Sequence, residues 1–269
     1  EDKIAMGLSK VEGAYSLLFL TQQKLIAVRD PRGFRPLWLG WLNKSPVFAS
    51  ETCALDLIGA TPERELEPGE MAIASADGTV TFRKFGETPK HSYCVFEHIY
   101  FARPDSTIFG SSVYQVRRRL GQELAKEHPV PADLVTPVPD SGMFAALGYA
   151  QQSGIPFELG FVRNHYIGRT FITPRQSIRD FGVKVKLNPV RSVLKGKRVV
   201  MIDDSIVRGT TSQKIVKMIR DAGAKEISLL ISSPPFVSPC VYGIDTPTKE
   251  ELIASKKSVE EIRKFIGVD

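Results

Sequence analysis

From residue 13 the apolar positions come in short runs broken by polar turns. Residues 13–20 (GAYSLLFL) form one run, 21–24 are polar, and 25–28 resume the apolar character, which is a hairpin pattern. Runs at 37–42, 46–49, 71–74 and 79–82 read the same way, with Asp77-Gly78 as the turn pair between the last two. A short helix after Ser50 is the one interruption the pattern suggests. The first region is therefore expected to be β-rich.

From about residue 107 the period changes. Within 112–128, Val113, Val116, Leu120 and Leu124 recur at spacings of three and four, one apolar stripe of a helix with charged residues opposite. Strands are expected at 133–138, 157–162, 197–202 and 226–231. Helices are expected at 143–152 and 212–222, the latter ended by Gly223. Strands alternating with helices imply an α/β fold, a parallel sheet with flanking helices on both faces. Ligands of such sheets sit beyond the carboxyl ends of the strands. The two textures meet near 86–92, at Gly86-Glu87-Thr88-Pro89, which sets expected domains at 1–90 and 91–269.

Composition narrows the class. The 269 residues are 42% hydrophobic and 25% charged, ordinary for a folded globular chain. No run approaches the roughly 18 apolar residues of a membrane span, and EDKIAMGLSK lacks the features of a signal peptide, so no membrane role is expected. Cys53, Cys94 and Cys240 are too few and too far apart for a disulfide scaffold, which favours a reducing, cytoplasmic location. The net charge of +6 is local: residues 163–198 hold ten Lys or Arg against one acid, Asp180, a net of +9. A nucleic-acid binder would spread its charge over a face with stacking aromatics, so no nucleic-acid partner is expected, whereas a confined cluster suits a compact polyanion.

The sharpest segment runs VVMIDDSIVRGTT over 199–211. Apolar residues bury a strand, Asp203 and Asp204 emerge where it ends, and Gly209-Thr210-Thr211 open the next helix. Backbone N–H groups at a helix N-terminus, beside hydroxyls and a glycine that admits close approach, make a phosphate cradle. Adjacent carboxylates repel phosphate and suit sugar hydroxyls and a hard cation such as Mg²⁺. A ligand carrying a phosphate, a diol and a metal-bound pyrophosphate meets every part of this pattern. The segment is not a Walker loop, which requires GxxxxGK[ST].

That segment resembles the phosphoribosylpyrophosphate (PRPP) motif of type I phosphoribosyltransferases, and its wording DDSIVRGTT resembles the amidophosphoribosyltransferase family, glutamine-dependent enzymes of purine synthesis. The resemblance extends through YFARPDS at 100–106, PVPDS at 137–141, YIGRTFI at 166–172 and YGID at 242–245. In the first region, RDPRGFRPL at 29–37 and ASETC at 49–53 resemble the later part of that family's N-terminal-nucleophile glutaminase domain.

The resemblance implies roles. Asp203 and Asp204 would hold ribose hydroxyls and contribute to Mg²⁺ binding. Ser205, Ile206, Val207, Arg208, Gly209, Thr210 and Thr211 would wrap the 5′-phosphate, and Asp140 and Ser141 would meet pyrophosphate and metal. Some members carry a hydroxyl residue where this chain has Gly142. The basic stretch 163–186, with Arg169 and Lys186, would close over PRPP and neutralise departing pyrophosphate. Tyr100 would couple the glutamine and PRPP sites. The implied reaction displaces pyrophosphate with ammonia, supplied from glutamine in the intact enzyme, to give 5-phosphoribosylamine. A homotetramer and purine-nucleotide feedback inhibition are also implied. Nucleotide-inhibited members read Lys-Asn-Arg-Tyr where this chain has Arg163-Asn164-His165-Tyr166, so inhibitor affinity is expected to differ.

Three departures shape the expectation. The chain begins at Glu1 without an N-terminal cysteine, so it reads as a family sequence shortened at both ends, with a partial glutaminase domain and ammonia as its nitrogen source. Cys94 and Cys240 match two ligands of the family's 4Fe–4S branch, yet two thiolates do not hold a cubane, and as inert thiols they would leave the cluster to the intact protein. The main rival reading is a non-catalytic PRPP-sensing regulator with the same fold, against which residues 1–90 argue. A salvage-type phosphoribosyltransferase would need a base-recognition hood instead.

Overall fold

The computed structural model describes residues 1–85, 90–164 and 187–269. The chain divides into two compact units, Glu1–Val116 with Cys240–Asp245, and Arg117–Pro239 with Thr246–Asp269.

In the first unit the strands Ser16–Leu20, Lys24–Arg29, Glu70–Ser75 and Val80–Lys84 lie side by side in that order, all antiparallel. The hairpin read from the 13–28 pattern closes with Leu20 opposite Leu25. A second antiparallel sheet places Trp38–Leu42 between Ser45–Ala49 and Thr61–Glu65. Alternation buries both faces of the first sheet's centre. Ile26, Val28, Met71 and Ile73 face Leu8 of the helix Asp2–Leu8, together with Tyr15 and Phe85. Ala27, Ala72 and Ala74 face the other way, and their small side chains leave room for Leu39 and Phe48 of the second sheet.

This packing continues past residue 90. Tyr93 stacks on Phe109 at 4.5 Å, and both rings lie against the buried Arg29 guanidinium, at 5.7 and 5.6 Å. Tyr242 joins the same unit by stacking on Phe34 at 4.4 Å. The change in sequence texture near 86–92 and the edge of the compact unit are thus separate features.

The second unit is α/β. A parallel sheet orders its strands as Leu134–Pro137, Arg198–Asp203 and Glu226–Ile231, with Arg198–Asp203 central. Successive side chains of the central strand serve opposite faces. Val199 and Met201 pack with Ile215, Val216 and Ile219 of the helix Thr210–Asp221 and with Ile266 of the helix Val259–Ile266. Val200 and Ile202 pack with Leu124 of the helix Val113–Glu127 and with Ala145, Ala146 and Tyr149 of the helix Met143–Ser153. Helices therefore cover both faces, as the alternation implied.

The expected strand at 157–162 is a correction. Phe157 makes only an isolated bridge to Val135, and the strand proper is Phe161–Arg163, antiparallel to Leu187–Pro189. Gly160 diverts the chain between them: its N–H donates to Thr136 Oγ1 at 2.8 Å, and a Cβ there would lie 2.8 Å from the same oxygen. Among the described residues no helix is long and apolar enough to cross a membrane.

Candidate functional site

The site forms at the carboxyl end of the central strand. Four apolar residues, Val199 to Ile202, are buried from both sides, so the chain surfaces only at Asp203, half-buried, and Asp204, which is 5% exposed. Asp203 Oδ1 accepts the Asp204 N–H at 2.9 Å, and the Ser205 hydroxyl donates to Asp204 Oδ2 at 2.6 Å. The next strand over delivers the second element. Val138 N–H donates to Ile202 C=O at 2.8 Å, which places the loop after Pro137 beside Asp203 and brings the Ser141 hydroxyl near enough to favour the charged Asp203 carboxylate. Asp140 is exposed and forms an ion pair with Arg163.

The approach of these two loops accounts for Gly142. A Cβ at that position would lie 2.2 Å from Ile202 C=O and 3.0 Å from Val138 C=O, both backbone atoms. A side chain at this position, a hydroxyl residue included, does not fit this arrangement, and Ser141 is the hydroxyl that the loop brings toward Asp203.

Beyond Ser205 the chain turns through Ile206 and Val207, both half-buried, to Arg208, which is exposed, and Gly209, which has φ +76°. Only glycine takes that conformation without strain. It lets Thr210 and Thr211 begin the helix Thr210–Asp221 with both threonines exposed at its N-terminus. Unpaired N–H groups, two hydroxyls and the positive end of the helix dipole converge there.

The electrostatics separate the two halves of the site. Burial first, and the Asp204 charge second, push the Asp203 carboxyl well above the usual carboxylate range, while hydrogen bonds from the Asp204 N–H and Ser141 oppose them. Two bare carboxylates in this setting resist carrying two charges together. Hydroxyl donors or a divalent cation would offset that cost, and an all-oxygen donor set suits Mg²⁺.

The other candidates fall elsewhere. Arg169, Lys186 and the YIGRTFI segment lie outside the described residues. Tyr100 is half exposed, on the π-helical turn Glu97–Phe101, with its ring 5.6 Å from Phe96. Cys94 and Cys240 are both half-buried. The Cys94 N–H donates to Phe34 C=O at 3.1 Å, and Cys240 Sγ accepts the N–H of Tyr242, the residue that stacks on Phe34. Two thiolates are half the set a cubane needs, and no group of three or more metal-ligating side chains occurs among the described residues. The described residues by themselves do not fit that cluster.

Two features escaped the sequence reading. Glu97, 1% exposed and paired with Arg35, has its carboxyl pushed up to about 7, chiefly by burial. Glu251 pairs with Arg208 of the loop 205–211. Thr248 and Glu251 stand in capping-box spacing, a signal that could have marked the second.

No protein-family model matches the chain. Individual relatives do. The chain is 59% identical over 271 residues to amidophosphoribosyltransferase 1, chloroplastic, of Arabidopsis thaliana, covering 99% of this chain and 47% of that protein. It is 55% identical over 269 residues to the amidophosphoribosyltransferase of Bacillus subtilis, covering 100% of this chain and 56% of that protein. A solved structure of the B. subtilis glutamine PRPP amidotransferase complexed with ADP and GMP superposes with a TM-score of 0.92 at 54% identity, over 100% of this chain and 59% of that one. In sequence and in fold this chain is similar to the amidophosphoribosyltransferases along its whole length, and it spans about half the length of the curated relatives it matches.

Proposed function

We propose that the second unit binds PRPP and displaces its pyrophosphate with ammonia to give 5-phosphoribosylamine, the transfer step of purine synthesis. The observation that carries this reading is the Asp203-Asp204 pair, emerging from a buried parallel strand between the Ser141 loop and the helix N-terminus at Thr210. Backbone N–H groups of 205–211 and the Thr210 and Thr211 hydroxyls hold the 5′-phosphate. Asp203 and Asp204 accept hydrogen bonds from the ribose hydroxyls. Asp140 and Ser141 orient the pyrophosphate, and the positive charges of Arg169 and Lys186 neutralise it as it departs. Asp203 and Asp204 would hold Mg²⁺, which when bound would supply charge neutralisation to the pyrophosphate. Neutral ammonia attacks the anomeric carbon as the bond to pyrophosphate breaks, and the resulting ammonium loses a proton to solvent. Positioning and charge stabilisation carry the catalysis, with no strong base required.

The wider assignments extend the family resemblance. Residues 1–90 belong to a glutaminase domain and 91–269 to the transferase domain, with Tyr100 coupling glutamine to the PRPP site. Purine nucleotides regulate the enzyme, in keeping with the ADP and GMP of the B. subtilis relative. In this reading the intact protein is a homotetramer, and its three scattered cysteines favour a cytoplasmic location. A 4Fe–4S cluster through Cys94 and Cys240 needs two further thiolates from outside the described residues. All of the named relatives are enzymes, which disfavours a PRPP-sensing regulator.

Mg²⁺-dependent pyrophosphate release from PRPP, driven by ammonia at mildly alkaline pH, tests the reading. Turnover is expected, with a loss of about 100-fold in Asp203→Asn. PRPP binding without ammonia-dependent release would move the chain to the sensor class. Equal turnover by Asp203→Asn would remove the acid pair from the mechanism.

A further inference from the structure

Three successive residues of the phosphate loop are each held by the segment after residue 246. Val207 C=O accepts the Ile253 N–H at 2.9 Å. Arg208 Nε and Nη2 donate to Glu251 Oε1 at 3.0 and 2.8 Å. Gly209 lies so close beneath the segment that a Cβ there would meet Ile253 Cδ1 at 3.0 Å and the Phe265 ring at 3.2 Å.

Glu251 is itself fixed. Its Oε2 accepts the Thr248 N–H at 3.2 Å within a capping box, so one carboxylate oxygen holds its own turn and the other holds Arg208. Leu252 is fully buried beside it and Ile253 is 8% exposed, which anchors the turn to the unit. On the far side of the loop, Gln213 donates to Phe265 C=O, tying the first turn of the following helix to the same segment.

A phosphate loop works by converging backbone N–H groups on the anion. A loop ordered only when the ligand arrives gives up affinity to the entropy of ordering, and a loop held in shape beforehand does not. The tether also turns the Arg208 guanidinium toward Glu251, so the backbone and hydroxyls of the loop are left to carry the anion. We propose that Glu251 is a positioning residue for the 5′-phosphate of PRPP: by tethering Arg208, alongside the Ile253 clasp on Val207, it keeps the loop in its anion-binding shape before ligand binds. This rests on the reading of 205–211 as the 5′-phosphate loop.

The test is calorimetric titration of the full chain with ribose 5-phosphate as probe and pyrophosphate as control. Glu251→Ala should bind ribose 5-phosphate about 3–10-fold more weakly, an ion-pair loss amplified by loop disorder, with pyrophosphate affinity within about twofold and Tm within about 2 °C of wild type. In PRPP turnover KM should rise with kcat little changed. Glu251→Gln, which keeps one acceptor for the tether, should recover part of the affinity, and it carries the comparison if the alanine variant does not fold. Unchanged ribose 5-phosphate binding by the variants would overturn the proposal. So would equal weakening of both probes with a falling Tm, since that is general structural support. Wild-type protein that binds neither PRPP nor ribose 5-phosphate would overturn the phosphate-loop reading and this inference with it. A wild type that binds both and indifferent variants would overturn the inference alone.

Discussion

The helices Val113–Glu127 and Met143–Ser153 meet through two glycines. A Cβ at Gly121 would lie 1.8 Å from Ala145 C=O, and a Cβ at Gly148 would lie 2.0 Å from Arg118 C=O. Carbon–oxygen contacts of this kind settle near about 3.3 Å, so either methyl requires the helices to part by more than about 1 Å. In an open helix Gly→Ala would add about 1 kcal/mol of stability. Against a facing backbone, overpacking costs about 1–3 kcal/mol, and separation also loosens Ala145, Ala146 and Tyr149 in the core beneath. Gly121→Ala and Gly148→Ala are each expected to lower stability by about 2 kcal/mol, seen as a Tm about 4–8 °C lower and a lower urea midpoint. The double variant should cost less than the two together, because the second methyl enters space the first has opened. Function should follow, because the helix Met143–Ser153 starts directly after the Ser141-Gly142 loop, and pushing it outward draws Ser141 from Asp203 and raises KM for PRPP. If Gly121→Ala is as stable as wild type or more so, the helices do not meet through these glycines and the reasoning fails.

Arg29 is 2% exposed and bridges to Glu65 at 3.0 Å, so Arg29→Met strands a buried carboxylate and should cost about 3–5 kcal/mol in chemical denaturation, whereas pairing it with Glu65→Gln should recover a large part. The Asp133 carboxyl is held down to about 2, first by the Arg198 side chain and then by the Arg198 N–H. Its contribution to stability is therefore complete above its ordinary value of 3.8 and is lost as pH falls through about 2, and carboxyl NMR titration of Arg198→Ala should move the value upward. Ser258 Oγ accepts the Glu261 N–H at 3.3 Å and the Ser258 N–H donates to Glu261 at 2.8 Å, so Ser258→Ala should cost about 1 kcal/mol by thermal melting; a smaller change than about 0.3 kcal/mol would show that the box is not formed.

What the sequence reveals of this fold is what is written locally. The segment 198–221 is a buried strand, two acids, a glycine turn and a helix in unbroken succession, and each part is set by its own neighbours. The hairpin of Ser16–Leu20 with Lys24–Arg29 is legible for the same reason. Gly121 and Gly148 look like ordinary weak points of two helices, and only the facing backbone shows why no other residue fits. Glu97 reads as one more surface acid until Arg35 and the core close over it. Gly160 could not be seen to break the 157–162 run, because the hydroxyl that diverts it belongs to Thr136.

The site itself divides the same way. Asp203 and Asp204 are found from their motif, but nothing in the motif states that Ser141 will stand beside them. Topology does. Leu134–Pro137 and Arg198–Asp203 run parallel and in register, Pro137 opposite Ile202, so both strands release their chains at one edge. A residue a few positions beyond the first strand must then meet the acids that end the second, whatever the sequence between them. Topology does not fix how close they come, and here Gly142 does, since any side chain at that position would hold Ser141 away from Asp203.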